Sequence, residues 1–159
     1  QSSQQALVMQ RSIEFQANIV DRRFPQIRRD HDVRLHVPMR RTLSWFRECA
    51  LGPVELMELT IDEKSTGQAI GRALAWDMEL FSQHWNEHAI GIYDVEIDET
   101  WRRKGLARFL ISQMMEYFHE QFFTLMETQI PADNTAALEL FRGLGFEQKD
   151  VGHLYQRSN

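Results

Sequence analysis

Between Ala89 and Ile130 the hydrophobic period changes twice, and this double switch limits the chain to a few architectures. AIGIYDVEID, from Ala89 to Asp98, reads as a strand. From about Lys104 to Gln121 the apolar residues recur at helical steps, and Phe123 to Ile130 reads as a strand again. A helical connection of that length allows the two strands to lie parallel. Its inward stripe would be Leu106, Leu110, Met114 and Tyr117, with Phe109 beside it.

Upstream, Val54 to Ile61 (VELMELTI) and Ala69 to Met78 (AIGRALAWDM) are strand-like runs joined by DEKSTGQ, a hairpin with a longer loop. Leu80 to His88 is a connection. Downstream, Asn134 to Leu144 reads as a short helix ended by Gly145, and Gly152 to Arg157 as a last strand. Strands followed by alternating helix and strand predict an α/β or α+β sheet with helices packed on it. At the other end, Leu7, Val8, Met9, Ile13, Ala17, Val20 and Phe24 recur at three- and four-residue steps after Ser3, a candidate N-cap. That spacing predicts a helix from about Gln4 to Phe24. Asp21 to His36 reads as irregular with a short strand at Val33 to Val37, and Leu43, Phe46, Arg47 and Ala50 suggest a second helix closed by Gly52 and Pro53. The expected division is an N-terminal helical segment over residues 1–30, the remnant of a linker or of a preceding domain, and a main domain over 31–159. A start of QSSQQ without methionine suggests either a piece of a longer protein or a trimmed tag.

The chain has 159 residues, enough for one domain with a proper core. Its net charge of −5 argues against a general nucleic-acid binder, whose footprint would be a basic excess. Cys49 is the sole cysteine, which excludes an internal disulfide and a thiolate metal cluster and fits a cytoplasmic protein. No apolar run reaches the roughly 18 residues a membrane span needs. His84 and His88 are four apart but have no third ligand nearby, so no metal is expected.

Against this acidic background stands TWRRKGLARFL, residues Thr100 to Leu110, with cations where a solvated helix start favours acids. Free amides at a helix start, a glycine that lets backbone approach closely, and Arg102, Arg103, Lys104 and Arg108 suit a phosphate-bearing ligand. A solvated basic helix start is the plainer alternative. Arg102-Arg103-Lys104-Gly105-Leu106-Ala107 resembles the Arg/Gln-x-x-Gly-x-Gly/Ala signature of the GNAT superfamily of N-acetyltransferases, placed as in that family between a strand and its following helix. Asn134, Ala137, Leu140, Phe141, Leu144, Gly145 and Phe146 are similar to the family's second block, and two motifs in order are far more specific than one.

The resemblance implies a mixed, mostly antiparallel sheet splayed at its central strands with helices on both faces, and acetyl-CoA as co-substrate. The pyrophosphate would rest on the amides from Arg103 to Ala107, and the pantetheine arm would pair with the backbone of Val95 to Ile97. The Ile97 amide would polarise the acetyl carbonyl, while Asn134, Ala137 and Phe141 flank the arm. Catalysis would need a base and an acid. Glu96 and Asp94, sharing a face by strand alternation, are base candidates, or else ordinary outward charges. Many family members carry a tyrosine where Phe141 stands; here Tyr155, water or no group at all would serve the thiolate. The implied partner is a small-molecule or peptide amine, without nucleic acid or membrane, and with a homodimer or tandem-domain arrangement open. The alternative is a catalytically inactive, CoA-binding or regulatory half of a larger tandem protein.

Overall fold

The computed structural model describes residues 7–20, 32–38, 42–44, 54–78 and 87–157. They build one eight-stranded sheet in the order β2-β4-β5-β6-β7-β1-β8, with β3 also on β4. The strands are β1 (Leu7–Asn18), β2 (Val33–His36), β3 (Thr42–Ser44), β4 (Val54–Glu63), β5 (Ala69–Asp77), β6 (Ala89–Ile97), β7 (Leu125–Pro131) and β8 (Glu147–Arg157); the helices are α1 (Leu106–Glu120) and α2 (Thr135–Gly143). The mixed architecture is thus present, and every pairing is antiparallel except β6 with β7. That parallel pair is the one α1 bridges.

The N-terminal helix predicted over residues 4–24 is corrected: residues 7–18 form β1. It pairs antiparallel with β7 from Ser12↔Pro131 to Asn18↔Leu125 and with β8 from Leu7↔Arg157 to Gln16↔Glu147. The helical spacing passes over Phe15. Ile13, Phe15 and Ala17 are all buried, a period of two, while Glu14 and Gln16 point to the other face. With a neighbour on each side the segment places its backbone groups in two ladders, and this tertiary gain overrides a weak local helical pattern. The second predicted helix is corrected at its start, because Thr42–Ser44 pairs with β4; the rest of it lies outside the described residues. The last strand begins at Glu147, earlier than expected.

The core runs along one face of the sheet, where Met57, Leu59, Ile61, Ile70, Ala73, Ala75, Ile90 and Ile92 meet Leu106, Phe109, Leu110, Met114 and Phe118 of α1. Tyr117, expected to point inward, is only half-buried, and Phe118 takes that place. Leu138 and Phe141 of α2 join the same core, Phe141 edge-to-face with Phe146 at 5.0 Å. The opposite face of the strands is mixed, carrying Glu58, Thr60, Arg72, Glu96 and Gln16 beside Leu74 and Trp76, all at half-buried or exposed positions.

Phe15 lies fully buried on β1, and the Arg142 guanidinium sits 5.4 Å from its ring centroid. Phe15→Ala should cost about 3–5 kcal/mol in urea unfolding, the range for emptying a packed aromatic site. A loss under about 1 kcal/mol would mean that β1 contributes little to the core.

Candidate functional site

β6 and β7 run side by side for only three pairs, Ala89↔Leu125, Ile90↔Met126 and Gly91↔Glu127, and then part. The cause lies in β6. Its register against β5 slips between Leu74↔Tyr93 and Arg72↔Glu96, so Asp94 and Val95 together oppose Ala73, and Asp94 adopts φ 54°. This bulge bends β6 away from its parallel neighbour. Asp94 and Glu96 still line one recess, as expected, but across this bulge and not by regular alternation. Gly91 stands at the parting point, where an added Cβ would lie 2.2 Å from Trp76 Nε1, so the indole covers that stretch of backbone. The gap is a cleft of about 320 Å³ lined by Trp76, Met78, Gly91, Ile92, Tyr93, Glu127, Thr128 and Gln129.

Past the cleft, the Asp98 amide donates to Ile70 O at 2.9 Å. Amides alternate sides along a strand, so the Ile97 N–H is turned away from β5, toward the open flank of β6. The Ile97 carbonyl accepts from Arg102 Nε at 2.9 Å, which ties the following turn to the end of the strand. Arg103 at φ 65° and Gly105 at φ 76° then reverse the chain into α1. Gly105 is its N-cap, with no side-chain hydrogen bond to the first turn and no acid in that turn. The amides of Leu106, Ala107 and Arg108 therefore face outward without intrahelical acceptors. Arg102, Arg103, Lys104 and Gly105 are exposed, and a Cβ added at Gly105 would meet no other part of the chain within 4 Å. Lys104 lies 4.8 Å from the Trp101 ring centroid, and Arg108 Nη2 donates to Gly143 O at 3.5 Å, linking the starts and ends of the two helices.

The structure thus brings Val95, Ile97 and the whole run Arg102, Arg103, Lys104, Gly105, Leu106, Ala107 and Arg108 to one side of the molecule. The Leu106 side chain itself is buried in the core. Asn134 caps α2, its Oδ1 accepting from the Ala137 amide at 3.2 Å. Phe141 is buried against Phe146 and Ala137 is half-buried. Glu96 pairs with Arg72 at 2.9 Å, and Arg72 also reaches Asp98 at 3.2 Å. Glu96 and Asp94 line a separate recess with Glu58, Arg72, Leu74 and Val95, not the cleft. The backbone of Tyr155 lies opposite Met9 in β8, with β1 and β7 between it and β6. His84 lies outside the described residues, while His88 stacks on Phe123 at 3.9 Å and sits 3.7 Å from Asp77. Among the described residues no group of three candidate ligands could hold a metal ion, and no helix is long and apolar enough to cross a membrane.

Two cleft residues are absent from the site residues expected from sequence, although Tyr93 is one of three tyrosines that stand as candidate acids there. Tyr93 lies in the cleft, and burial, with the charge of Asp94, pushes its phenol up and keeps it protonated. Glu127 is 6% exposed, and its Oε2 has no hydrogen-bond partner among the described residues. Burial, then the charge of Glu14 and a hydrogen bond with it, raises the Glu127 carboxyl to about 8. The available signal was an acid inside LMETQIP, a strand flanked on both sides by others.

Residues 58–146, more than half of the chain, match the acetyltransferase (GNAT) family. An uncharacterized N-acetyltransferase of Methanocaldococcus jannaschii is 27% identical over 85 residues, which is 54% of this chain and 37% of the relative. The mycothiol acetyltransferase of Renibacterium salmoninarum is 29% identical over 116 residues, covering 65% of this chain and 34% of that protein. The crystal structure of a GCN5-related N-acetyltransferase from Sphaerobacter thermophilus superposes with a TM-score of 0.62 at 14% identity, over 96% of this chain and 53% of that one. The chain spans about a third of those curated relatives and about half of that structure.

The Glu127 carboxyl has a checkable consequence. Between its ordinary 4.5 and its folded value of about 8, the folded state holds a proton that the unfolded state has released. Stability must then fall as pH rises through that window, by at most about 1.4 kcal/mol per pH unit from this group. Urea midpoints from pH 5 to 9 should decline in the parent protein and decline less in Glu127→Gln. An identical slope in both would place the titration elsewhere.

Proposed function

The chain belongs to the acetyltransferase (GNAT) family, and from that premise we propose that it moves an acetyl group from acetyl-CoA to a primary amine by direct attack. The observation that carries the reading is the combination of an acid-free, uncapped start of α1 with exposed Arg102, Arg103 and Lys104, directly beside the parted strands. Amides and guanidinium groups there suit a pyrophosphate, while the open flank of β6 suits the amide-bearing pantetheine arm as an added strand. In this reading the amides from Arg103 to Ala107 take the phosphates, with Arg108 beside them. Val95 and Ile97 take the arm. The Ile97 N–H, turned toward the open side, donates to the carbonyl oxygen as it becomes an oxyanion. Asn134 and Ala137 contribute by setting the start of α2, and Phe141 by packing beneath it.

Tyr93 replaces Tyr155 as the proposed acid, because it lies in the cleft and burial holds its proton. Glu96 and Asp94 remain proton acceptors at a distance, reaching the cleft through water along β6. The acceptor is a small-molecule or peptide amine, and a cytoplasmic setting fits the lone cysteine. No metal enters the chemistry proposed here.

One observation favours the second reading, an inactive CoA-binding half of a larger protein: the residue after Leu140 is Phe141, buried and without a hydroxyl. Calorimetry with acetyl-CoA should give saturable binding, weakened at least about tenfold by Gly105→Glu, which adds a charge at the phosphate and strains a left-handed position. Absence of binding, or binding indifferent to that change, would remove the coenzyme assignment. Thiol release with a broad amine panel separates the readings: turnover that drops about 10–100-fold in Tyr93→Phe with unchanged acetyl-CoA affinity is expected of the enzyme, and none at all of the inactive half.

A further inference from the structure

Glu127 stands where β6 and β7 part, opposite Gly91 on one side and Gln16 of β1 on the other. One of its oxygens is buried and without a partner among the described residues, and the other end of the group meets Glu14. Glu14 is itself held by Gln16, whose Nε2 donates to Glu14 Oε1 at 3.2 Å. Two adjoining carboxyls, Glu127 at the cleft wall and desolvated with one oxygen unpartnered among the described residues, Glu14 on the recess behind it, are costly unless a cation or donor completes them. Glu14 also lines a polar recess of about 590 Å³ with Gln16, Asn18, Glu87, Leu125, Glu147 and Lys149. The pair therefore joins an open, mostly acidic approach to the narrower cleft beside Tyr93 and Trp76.

We propose that Glu127 and Glu14 form the subsite that receives the acceptor's ammonium group and takes its proton. This rests on the acetyl-transfer reading above and adds residues to it, one of them supplied by the N-terminal strand. The proton count closes. Glu127 begins protonated beside Glu14; the arriving cation displaces that proton to solvent, and the Glu127 carboxylate then accepts one N–H proton from the ammonium. The neutral nitrogen forms the C–N bond with the acetyl carbon, and the C–S bond breaks. The second amine proton leaves with the thiolate through Tyr93. Net, an ammonium and a thioester become an amide, a thiol and one released proton, with Glu127 protonated again. An unusually basic carboxyl suits this task better than an ordinary one, because its strength as an acceptor lies near working pH. The ionisable groups near Glu127, among the described residues, are Tyr93 from β6 in the cleft and Glu14 from β1 on the recess side; Trp76 from β5 and Thr128 and Gln129 from β7 are uncharged.

The test uses the full chain labelled with ¹³C at glutamate carboxyls, with CoA bound, and methylammonium as the smallest primary ammonium. One carbon should titrate near pH 8 in the parent protein, vanish in Glu127→Gln, and move to lower pH in Glu14→Gln, which removes the like charge. Methylammonium should lower the parent inflection by about one unit relative to matched sodium chloride, as an opposite charge in contact does. Glu14→Gln should shrink that response. An inflection that methylammonium leaves unmoved, or a carbon near pH 8 that survives Glu127→Gln, would overturn the proposal. Acetyl-CoA calorimetry on the same samples separates the failures: coenzyme binding with an indifferent inflection sinks the ammonium subsite alone, whereas lost coenzyme binding sinks the transferase reading on which it rests.

Discussion

The parting of two parallel strands governs this molecule. β6 and β7 share three residue pairs and then diverge because an extra residue at Asp94 bends β6. The cleft and the uncapped start of α1 both lie beside that gap. Backbone groups that a continuous sheet would have consumed are left facing a cleft, which is the condition for binding a ligand that brings amides of its own. Among non-glycine described residues, three adopt left-handed φ, and two of them, Asp94 and Arg103, stand at either end of the segment from the bulge to the phosphate-suited turn. Strain of about 1 kcal/mol at each is small beside the stability of a folded domain. Arg102 holds the two ends together through the Ile97 carbonyl.

Much of the architecture was readable because its signals are local. The hairpin of β4 and β5, the strand–helix–strand of β6, α1 and β7, and the capped α2 all follow from period, turn residues and Asn134. β1 was misread because short apolar runs satisfy both periods, and the residue that decides between them, Phe15, matters only once β7 and β8 lie alongside. No local preference carries that information. For the same reason β8 extends back to Glu147, since its partner is at the far end of the chain.

The two halves of the candidate site differ in the same way. The run from Arg102 to Arg108 is contiguous and its charge pattern is visible in one dimension. The cleft is not. Glu14 and Glu127 lie far apart in sequence, one in a run that reads as helix and the other in a strand; only the register of β1 against β7 makes one raise the other's proton affinity. Tyr93 likewise gains its position from the bulge beside it, which no spacing rule announces.

Placing the first strand between the two last ones has a cost in time. Asn18 waits for Leu125, more than one hundred residues further on, and Leu7 for Arg157. Such non-local pairing raises contact order and slows folding, since the entropy of closing so long a loop must be lost before any ladder forms. As the chain emerges from a ribosome, LVMQRSIEFQAN is a half-apolar segment with neither flank occupied, exposed to any other unpaired edge. Until synthesis reaches its partners, this segment is where the protein is most open to chaperones and to aggregation.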